Sequence, residues 1–217
     1  MSYESVMDRV ATAASRCGRE VSDITVVAVS KTKTAEEVRE IYDQGHRDFG
    51  ENRAGEMADK APLLPDDIRW HFVGSLQSRK ARVVRAVTHL LHSMDRESLA
   101  GAWMKGLGQA PPVLVQVNVG EEPQKSGVAP DRVEETLGRL IEIGLDVRGL
   151  MAIPPIPERA EDSRPHFRRL RELRDRAVTT HPEVVELSMG MTDDFEIAIA
   201  EGASIIRVGR AIFGPRN

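Results

Sequence analysis

The sequence predicts a single α/β domain that folds as a (β/α)8 TIM barrel with an extra helix at its N-terminus. Short apolar segments typical of buried parallel strands recur about every 23–25 residues and alternate with amphipathic segments along the chain. The turn after the first segment, residues 30–34, reads Ser-Lys-Thr-Lys-Thr. It lacks the glycines expected of a doubly wound open sheet, which is the alternative fold. We therefore treat residues 1–217 as one barrel domain.

Each element has its own local pattern. The predicted strands are Ile24–Lys31, Asp48–Gly50, Trp70–Gly74, Leu90–Ser93, Val113–Val119, Val147–Ala152, Val185–Ser188 and Ile205–Gly209. Apolar residues at helical spacing predict helices over Ser5–Cys17, Ala35–Gln44, Glu97–Leu107, Arg132–Ile143 and His166–Val178. A further helix is predicted to follow the seventh strand, with Thr192 as its N-cap.

Composition narrows the class of protein. Hydrophobic residues make up 41% of the chain and aromatic residues only 4%, which suits a core of aliphatic strands covered by helices. The net charge of −4 gives no reason to expect nucleic acid or an anionic membrane as a partner. The single cysteine, Cys17, excludes an internal disulfide and lies on an apolar helical stripe, so we expect it to be buried. We expect a cytoplasmic monomer.

The first strand raises the main functional question, because a lysine follows its apolar residues directly. Alternate residues of a strand share a face, which groups Val27, Val29 and Lys31. If the intervening residues pack against helices, Lys31 points into the mouth of the barrel, where barrel active sites lie. The other interpretation is a surface lysine that ends the strand, and the strand alone leaves both open. Lys33, two residues further on, is expected at the surface.

Polar residues at the ends of other strands are weaker candidates. Asn52 ends the motif FGEN, and His71 lies in the third strand. Either could face a ligand, and either could instead satisfy backbone groups. His89 and His92 have no cysteine or carboxylate companions in the sequence, so no metal site is predicted.

The turns after the seventh and eighth strands predict a phosphate site. Ser188 and Gly190 precede a helix, and Gly209 lies at the last strand-to-helix turn. The loops at these two places frequently bind phosphate in barrels. Strands one and eight are neighbours in a closed barrel, so Lys31 would adjoin this site. A lysine amine beside a phosphate pocket suits pyridoxal 5′-phosphate (PLP), whose aldehyde forms a Schiff base with lysine.

Seven motifs, in this order, resemble those of the pyridoxal phosphate homeostasis proteins, single-domain relatives of the alanine racemase barrel. They are AVSKTKT, FGEN, WHFVGSLQSRK, KSG, RGLMAIP, LSMGMTDDFEIAI and IRVGRAIFG, and together they span most of the chain.

The resemblance implies roles for nine residues of these motifs. Lys31 would form the Schiff base, and Arg207 would face the pyridine nitrogen. The phosphate would be held by Ser188, Gly190, Gly209 and Arg210, and the pocket would be lined by Asn52, Met189 and Met191. The family usually has threonine where this chain has Arg210, so a hydroxyl contact to the phosphate is not expected there.

The resemblance also implies a carrier that holds PLP and delivers it to apo-enzymes, in vitamin B6 and amino-acid homeostasis. The alternative is a PLP-dependent amino-acid racemase, which needs a second acid–base group, a tyrosine from an additional β domain. We expect that domain to be absent, and we expect neither Tyr3 nor Tyr42 at the mouth. A third interpretation, a barrel enzyme acting on a phosphorylated metabolite through Lys31, applies if no cofactor binds.

Overall fold

A computed structural model of the protein describes residues 2–214 and contains a closed barrel of eight parallel strands. The strands are β1 Thr25–Val29, β2 Asp48–Glu51, β3 Arg69–Phe72, β4 Thr88–Met94, β5 Val113–Val117, β6 Val147–Ala152, β7 Glu186–Ser188 and β8 Ile205–Val208. They pair in chain order, and β8 closes the barrel on β1 in a register that pairs Val27 with Arg207. The predicted (β/α)8 fold is confirmed.

Nine α-helices surround the barrel within the described residues. They are α1 Tyr3–Arg16, α2 Ala35–Asp43, α3 Ala54–Lys60, α4 Ala81–Arg85, α5 Glu97–Met104, α6 Val133–Glu142, α7 Arg164–Val178, α8 Phe195–Ala200 and α9 Arg210–Phe213. The N-terminal helix α1 precedes the barrel and packs against α8 and α9. The Arg9 guanidinium lies 4.5 Å from the centre of the Phe195 ring at this contact. The extra N-terminal helix is therefore confirmed.

Two apolar cores follow from the alternation of residues along the strands. The inner core lies inside the barrel and consists of Val27, Leu90, Leu114, Met151 and Ile205, with Val29 packed against it. The outer core lies between the strands and the helices and contains the alternate residues of β1, Val26 and Ala28. Aliphatic side chains dominate both cores, as the composition predicts.

Three local predictions are wrong, each at the end of a helix. Cys17 is exposed because α1 ends at Arg16 and Cys17 is its C-cap. Leu107 lies beyond the end of α5 and is 98% exposed, since the helix stops before the glycine-containing segment 105–108. The N-cap of α8 is Asp194 and not Thr192. Among residues 2–214, no helix has both the length and the apolar character needed to cross a membrane.

Candidate functional site

Lys31 lies at the C-terminal mouth of the barrel, at a position that continues the inner face of β1. Val27 and Val29 belong to the inner core, whereas Val26 and Ala28 pack against the helices. Lys31 follows β1 by two residues, in the turn, and is half-buried. The packing that an inward-facing Lys31 requires is therefore present.

The residue before Lys31 is fixed by a buried ion pair. The Ser30 hydroxyl donates to Glu51 Oε1 at 2.7 Å, and Lys60 Nζ donates to the Ser30 carbonyl at 2.7 Å. Lys60 Nζ also contacts Glu51 Oε1 at 2.5 Å. Burial raises the pKa of Glu51, although the bonds from Lys60 and Ser30 oppose that shift. Because both the hydroxyl and the carbonyl of Ser30 are hydrogen-bonded, the backbone that carries Lys31 has a defined course.

Lys33 is less exposed than the sequence predicts. Its side chain is only 9% exposed, and its ammonium lies 3.1 Å from Glu37 Oε1, one turn into α2. The helix begins with a capping box, in which the Thr34 hydroxyl and the Glu37 carboxylate accept from each other's backbone N–H groups. Lys33 therefore pairs with the carboxylate that caps the N-terminus of α2.

Arg207 is the charged group at the centre of the barrel. It is 4% exposed, and its guanidinium donates to Ser188 Oγ at 2.6 Å and to the Ala152 carbonyl at 2.8 Å. Burial lowers the pKa of Arg207 to about 10, an effect that the carboxylate of Asp194 opposes. The guanidinium remains a cation at neutral pH, held by two uncharged oxygens.

Ser188 is the partner of Arg207 rather than an open hydroxyl. It is fully buried, and its Oγ also lies 2.8 Å from His92 Nδ1. The predicted direct contact of Ser188 with a phosphate stays a prediction. In the structure its hydroxyl is engaged on the inner face of the barrel.

Gly190 and Gly209 allow close backbone contacts at the mouth. Gly190 has a φ of +89°, and a Cβ there would lie 2.5 Å from the Cβ of Ala198 in α8. A Cβ at Gly209 would lie 3.2 Å from the carbonyl oxygen of Val29. The turn after β8 therefore lies against the end of β1, two residues before Lys31.

Asp194 fixes the loop that follows β7. Its carboxylate accepts from the Met191 backbone N–H at 2.7 Å and from the Ser163 hydroxyl at 2.7 Å. Met191 is half-buried in this loop. Met189 is fully buried in the outer core, so its placement does not fit the predicted pocket-lining role of its side chain.

Arg210 connects the two loops of the predicted phosphate site. Its guanidinium lies 2.5 Å from Asp193 Oδ2, and both side chains are about two-thirds exposed, at 62% and 66%. The pair joins the turn after β8 to the loop after β7. Arg210 adds an exposed positive charge beside Gly209.

Asn52 follows β2 and Asn118 follows β5, each at a position that continues the inner face of its strand. The two side chains differ in their hydrogen-bond partners. Asn118 is used within its own loop, where its side chain donates to the Glu122 carbonyl and accepts from the Glu122 N–H. Asn52 Oδ1, in contrast, is buried and has no hydrogen-bond partner among the described residues. Buried polar atoms are usually satisfied, so this oxygen is suited to a ligand.

A continuous chain of polar side chains crosses the barrel interior from Ser188 to the N-terminal end of the strands. His92 Nε2 lies 2.9 Å from His71 Nδ1, and His71 Nε2 lies 3.1 Å from Asp48 Oδ1. Sequence reasoning treated the histidines singly and missed this connection. The sequence does contain a signal for this connection, since the alternation of residues along β4 puts His92 on the same face as Leu90.

Comparison with known proteins assigns the chain to a family, although no protein-family model matches it. The pyridoxal phosphate homeostasis protein of Aquifex aeolicus is 42% identical over 218 residues, which cover 98% of this chain and 96% of that protein. The Escherichia coli protein of the same name is 39% identical and covers 98% of this chain and 94% of its own length.

A solved structure supports the same family assignment. PipY of Synechococcus elongatus, determined with PLP bound, superposes with a TM-score of 0.82 at 34% identity, over 96% of this chain and 100% of that chain. Sequence and structure thus match over nearly their full lengths. The chain belongs to the pyridoxal phosphate homeostasis protein family.

Proposed function

We propose that this protein binds PLP at the C-terminal mouth of its barrel, with Lys31 as the covalent attachment point. We further propose that it acts in intracellular vitamin B6 and amino-acid homeostasis. The observation that supports the proposal is the pairing of β1 with β8, in which Val27 lies opposite Arg207 and Val29, two residues before Lys31, lies against Gly209. Family membership and the PLP-bound relative PipY support the choice of ligand.

The residues at the mouth fit PLP in charge and in hydrogen bonding. Arg207 is a buried cation that can only donate, so it suits an unprotonated pyridine nitrogen. Asn52 offers a buried oxygen that has no hydrogen-bond partner within residues 2–214. We assign the phosphate to backbone N–H groups at Gly190 and Gly209, with the exposed charge of Arg210 nearby.

When bound, PLP supplies an aldehyde that condenses with a primary amine and releases water. Lysine has the required chemistry, since arginine does not lose its proton at physiological pH. Ser30 holds the backbone before Lys31, and Met191 lies in the loop that faces the same mouth. Ser188 is assigned to the site through its bond to Arg207.

We propose a carrier rather than a racemase. Racemisation needs acid–base groups on both faces of the substrate, and neither tyrosine is placed for this role. Tyr3 lies on α1 and bonds His46, whereas Tyr42 lies on α2 and donates to Asp67. Measurable racemisation of an amino acid by the pure protein would favour the alternative.

Delivery of PLP to apo-enzymes by transient contact is the corresponding cellular role. We place it in the cytoplasm, since the single cysteine suits a reducing compartment, and we propose that the carrier is a monomer. Activation of an apo-enzyme by the loaded protein should proceed in the presence of a scavenger that removes free PLP. Activation that stops when the scavenger is added would argue against direct transfer.

The ligand and its attachment point are tested with a matched pair of lysine variants. Wild-type protein, K31A and K33A are incubated with PLP, desalted and examined by absorption spectroscopy. Wild-type and K33A should retain a protein-bound visible band that K31A lacks. A wild-type protein that retains no PLP would overturn the ligand, and an unchanged band in K31A would overturn the attachment point.

A further inference from the structure

We propose that Asp48, His71, His92 and Ser188 form a one-directional hydrogen-bond chain that positions Arg207 for the ring of PLP. The proposal rests on the proposed function and deepens it. It makes a carboxylate at the N-terminal end of the barrel a positioning residue for the site at the opposite end. Every link is a direct contact of 2.6–3.1 Å.

The direction of the chain follows from what each group can donate. Arg207 has only donors, so Ser188 Oγ accepts from it. At the other end, the ionised Asp48 carboxylate has only acceptors, so His71 Nε2 carries the proton that bonds it. We assign one ring proton to each imidazole, so that His71 Nδ1 accepts from His92 Nε2 and His92 Nδ1 accepts the Ser188 hydroxyl proton. This arrangement satisfies all four bonds.

The surroundings of His92 and of Asp48 support this arrangement. Burial lowers the pKa of His92 well below its usual value, and the nearby charge of Arg207 lowers it further. Burial opposes ionisation of Asp48, but hydrogen bonds from His71 and Arg69 outweigh it and lower the pKa of that carboxyl. Asp48 therefore stays ionised.

The groups that face His71 come from several strands. Asp48 projects from β2, Arg69 from β3 and His89 from β4, and together with His71 they line a cavity of about 320 Å³ at the N-terminal end of the barrel. Arg148 of β6 and Glu186 of β7 complete its charged lining. The hydrogen-bond chain therefore runs from this cavity to Arg207.

The hydrogen-bond chain explains how a buried cation is oriented although no carboxylate of the described residues bonds it directly. Arg207 donates to two uncharged oxygens, one of which is Ser188 Oγ. A hydroxyl that donates its own proton becomes a stronger acceptor, and bonds in series polarise one another. Asp48 strengthens each bond in turn, so Ser188 holds the guanidinium in one orientation.

The test compares D48N with R69Q. Arg69 bonds Asp48 through both Nε and Nη2, and its side chain is 48% exposed. Both variants remove this ion pair, but only D48N removes the charge at the end of the chain. We expect D48N to weaken PLP binding by roughly three- to tenfold, which lies within the range found for coupling through packed networks. R69Q should stay within about twofold of the wild-type affinity.

The imidazole nitrogens give a second readout, which does not depend on PLP. Heteronuclear NMR of the protein without cofactor, at neutral pH, should show His71 and His92 as neutral tautomers protonated at Nε2. D48N should change these signals, and R69Q should leave both tautomers in place. An imidazolium signal for His71, or His92 protonated at Nδ1, would overturn the assigned direction.

The outcomes separate this inference from the proposed function. If wild-type protein binds PLP and D48N binds it as tightly as R69Q does, the positioning role is wrong while the binding site stands. If wild-type protein binds no PLP, the proposed function fails, and the positioning role fails with it. In either case, the tautomers of His71 and His92 test the direction of the hydrogen-bond chain.

Discussion

Removal of Lys60 tests whether the buried ion pair behind Lys31 stabilises the fold. Glu51 is fully buried, and Lys60 Nζ lies 2.5 Å from its Oε1. In K60M the carboxyl loses its cation and takes up a proton in the folded state. Protonating a carboxyl with the usual pKa of 4.5 costs up to about 3.4 kcal/mol at pH 7 and about 0.7 kcal/mol at pH 5, at roughly 1.36 kcal/mol per pH unit.

The pH dependence has a defined sign. Burial raises the pKa of Glu51, so the folded K60M protein binds a proton that the unfolded chain releases. Stability relative to wild type should therefore be lost as the pH rises from about 5 to 7. Urea unfolding of wild type and K60M at both pH values measures this difference in the free energy of unfolding.

Two further variants isolate the cause. The double variant E51Q/K60M has no carboxyl to titrate, so its destabilisation should not change between the two pH values. R53M removes an exposed partner of Glu56 on the same helix and should cost no more than about 0.5 kcal/mol. A K60M protein that loses less than about 1 kcal/mol at pH 7, or the same amount at both values, would refute the reasoning.

Two other substitutions probe the turns at the mouth. G190A should lower the free energy of unfolding by about 2–4 kcal/mol, because the positive φ and the overlap with Ala198 both oppose a Cβ. G45A, with a similar φ but open space, should cost only about 1–2 kcal/mol, and equal losses would contradict the packing argument. R210T should change stability by less than about 0.5 kcal/mol, because the pair with Asp193 is mostly exposed. Its PLP affinity should fall by less than about threefold in a fluorescence titration, since solvent screens the charge. A larger loss would assign Arg210 a direct contact.

The strands were predictable because their pattern is local. Alternation in β1 separates Val27 and Val29 from Val26 and Ala28, and the two groups do enter different cores. The same alternation gives Lys31 its inner-face position. Repetition of this pattern along the chain was sufficient to predict a closed barrel.

Contacts between strands could not be predicted in the same way. The bonds from Ser188 to His92 and from Ser30 to Glu51 depend on the register of the barrel and on the reach of each side chain. No short sequence pattern encodes these quantities. Helix ends were also unreliable, since the apolar stripe of α1 continues to Cys17 although the helix stops at Arg16.

The attachment of PLP to Lys31 is the central claim, and chemical trapping tests it most directly. Wild-type protein is loaded with PLP, reduced with borohydride and digested, and the modified peptide is identified by mass spectrometry. The pyridoxyl group should be found on Lys31, with Lys33 and Lys60 unmodified. A modified lysine other than Lys31, or no modified peptide from a loaded protein, would contradict the account.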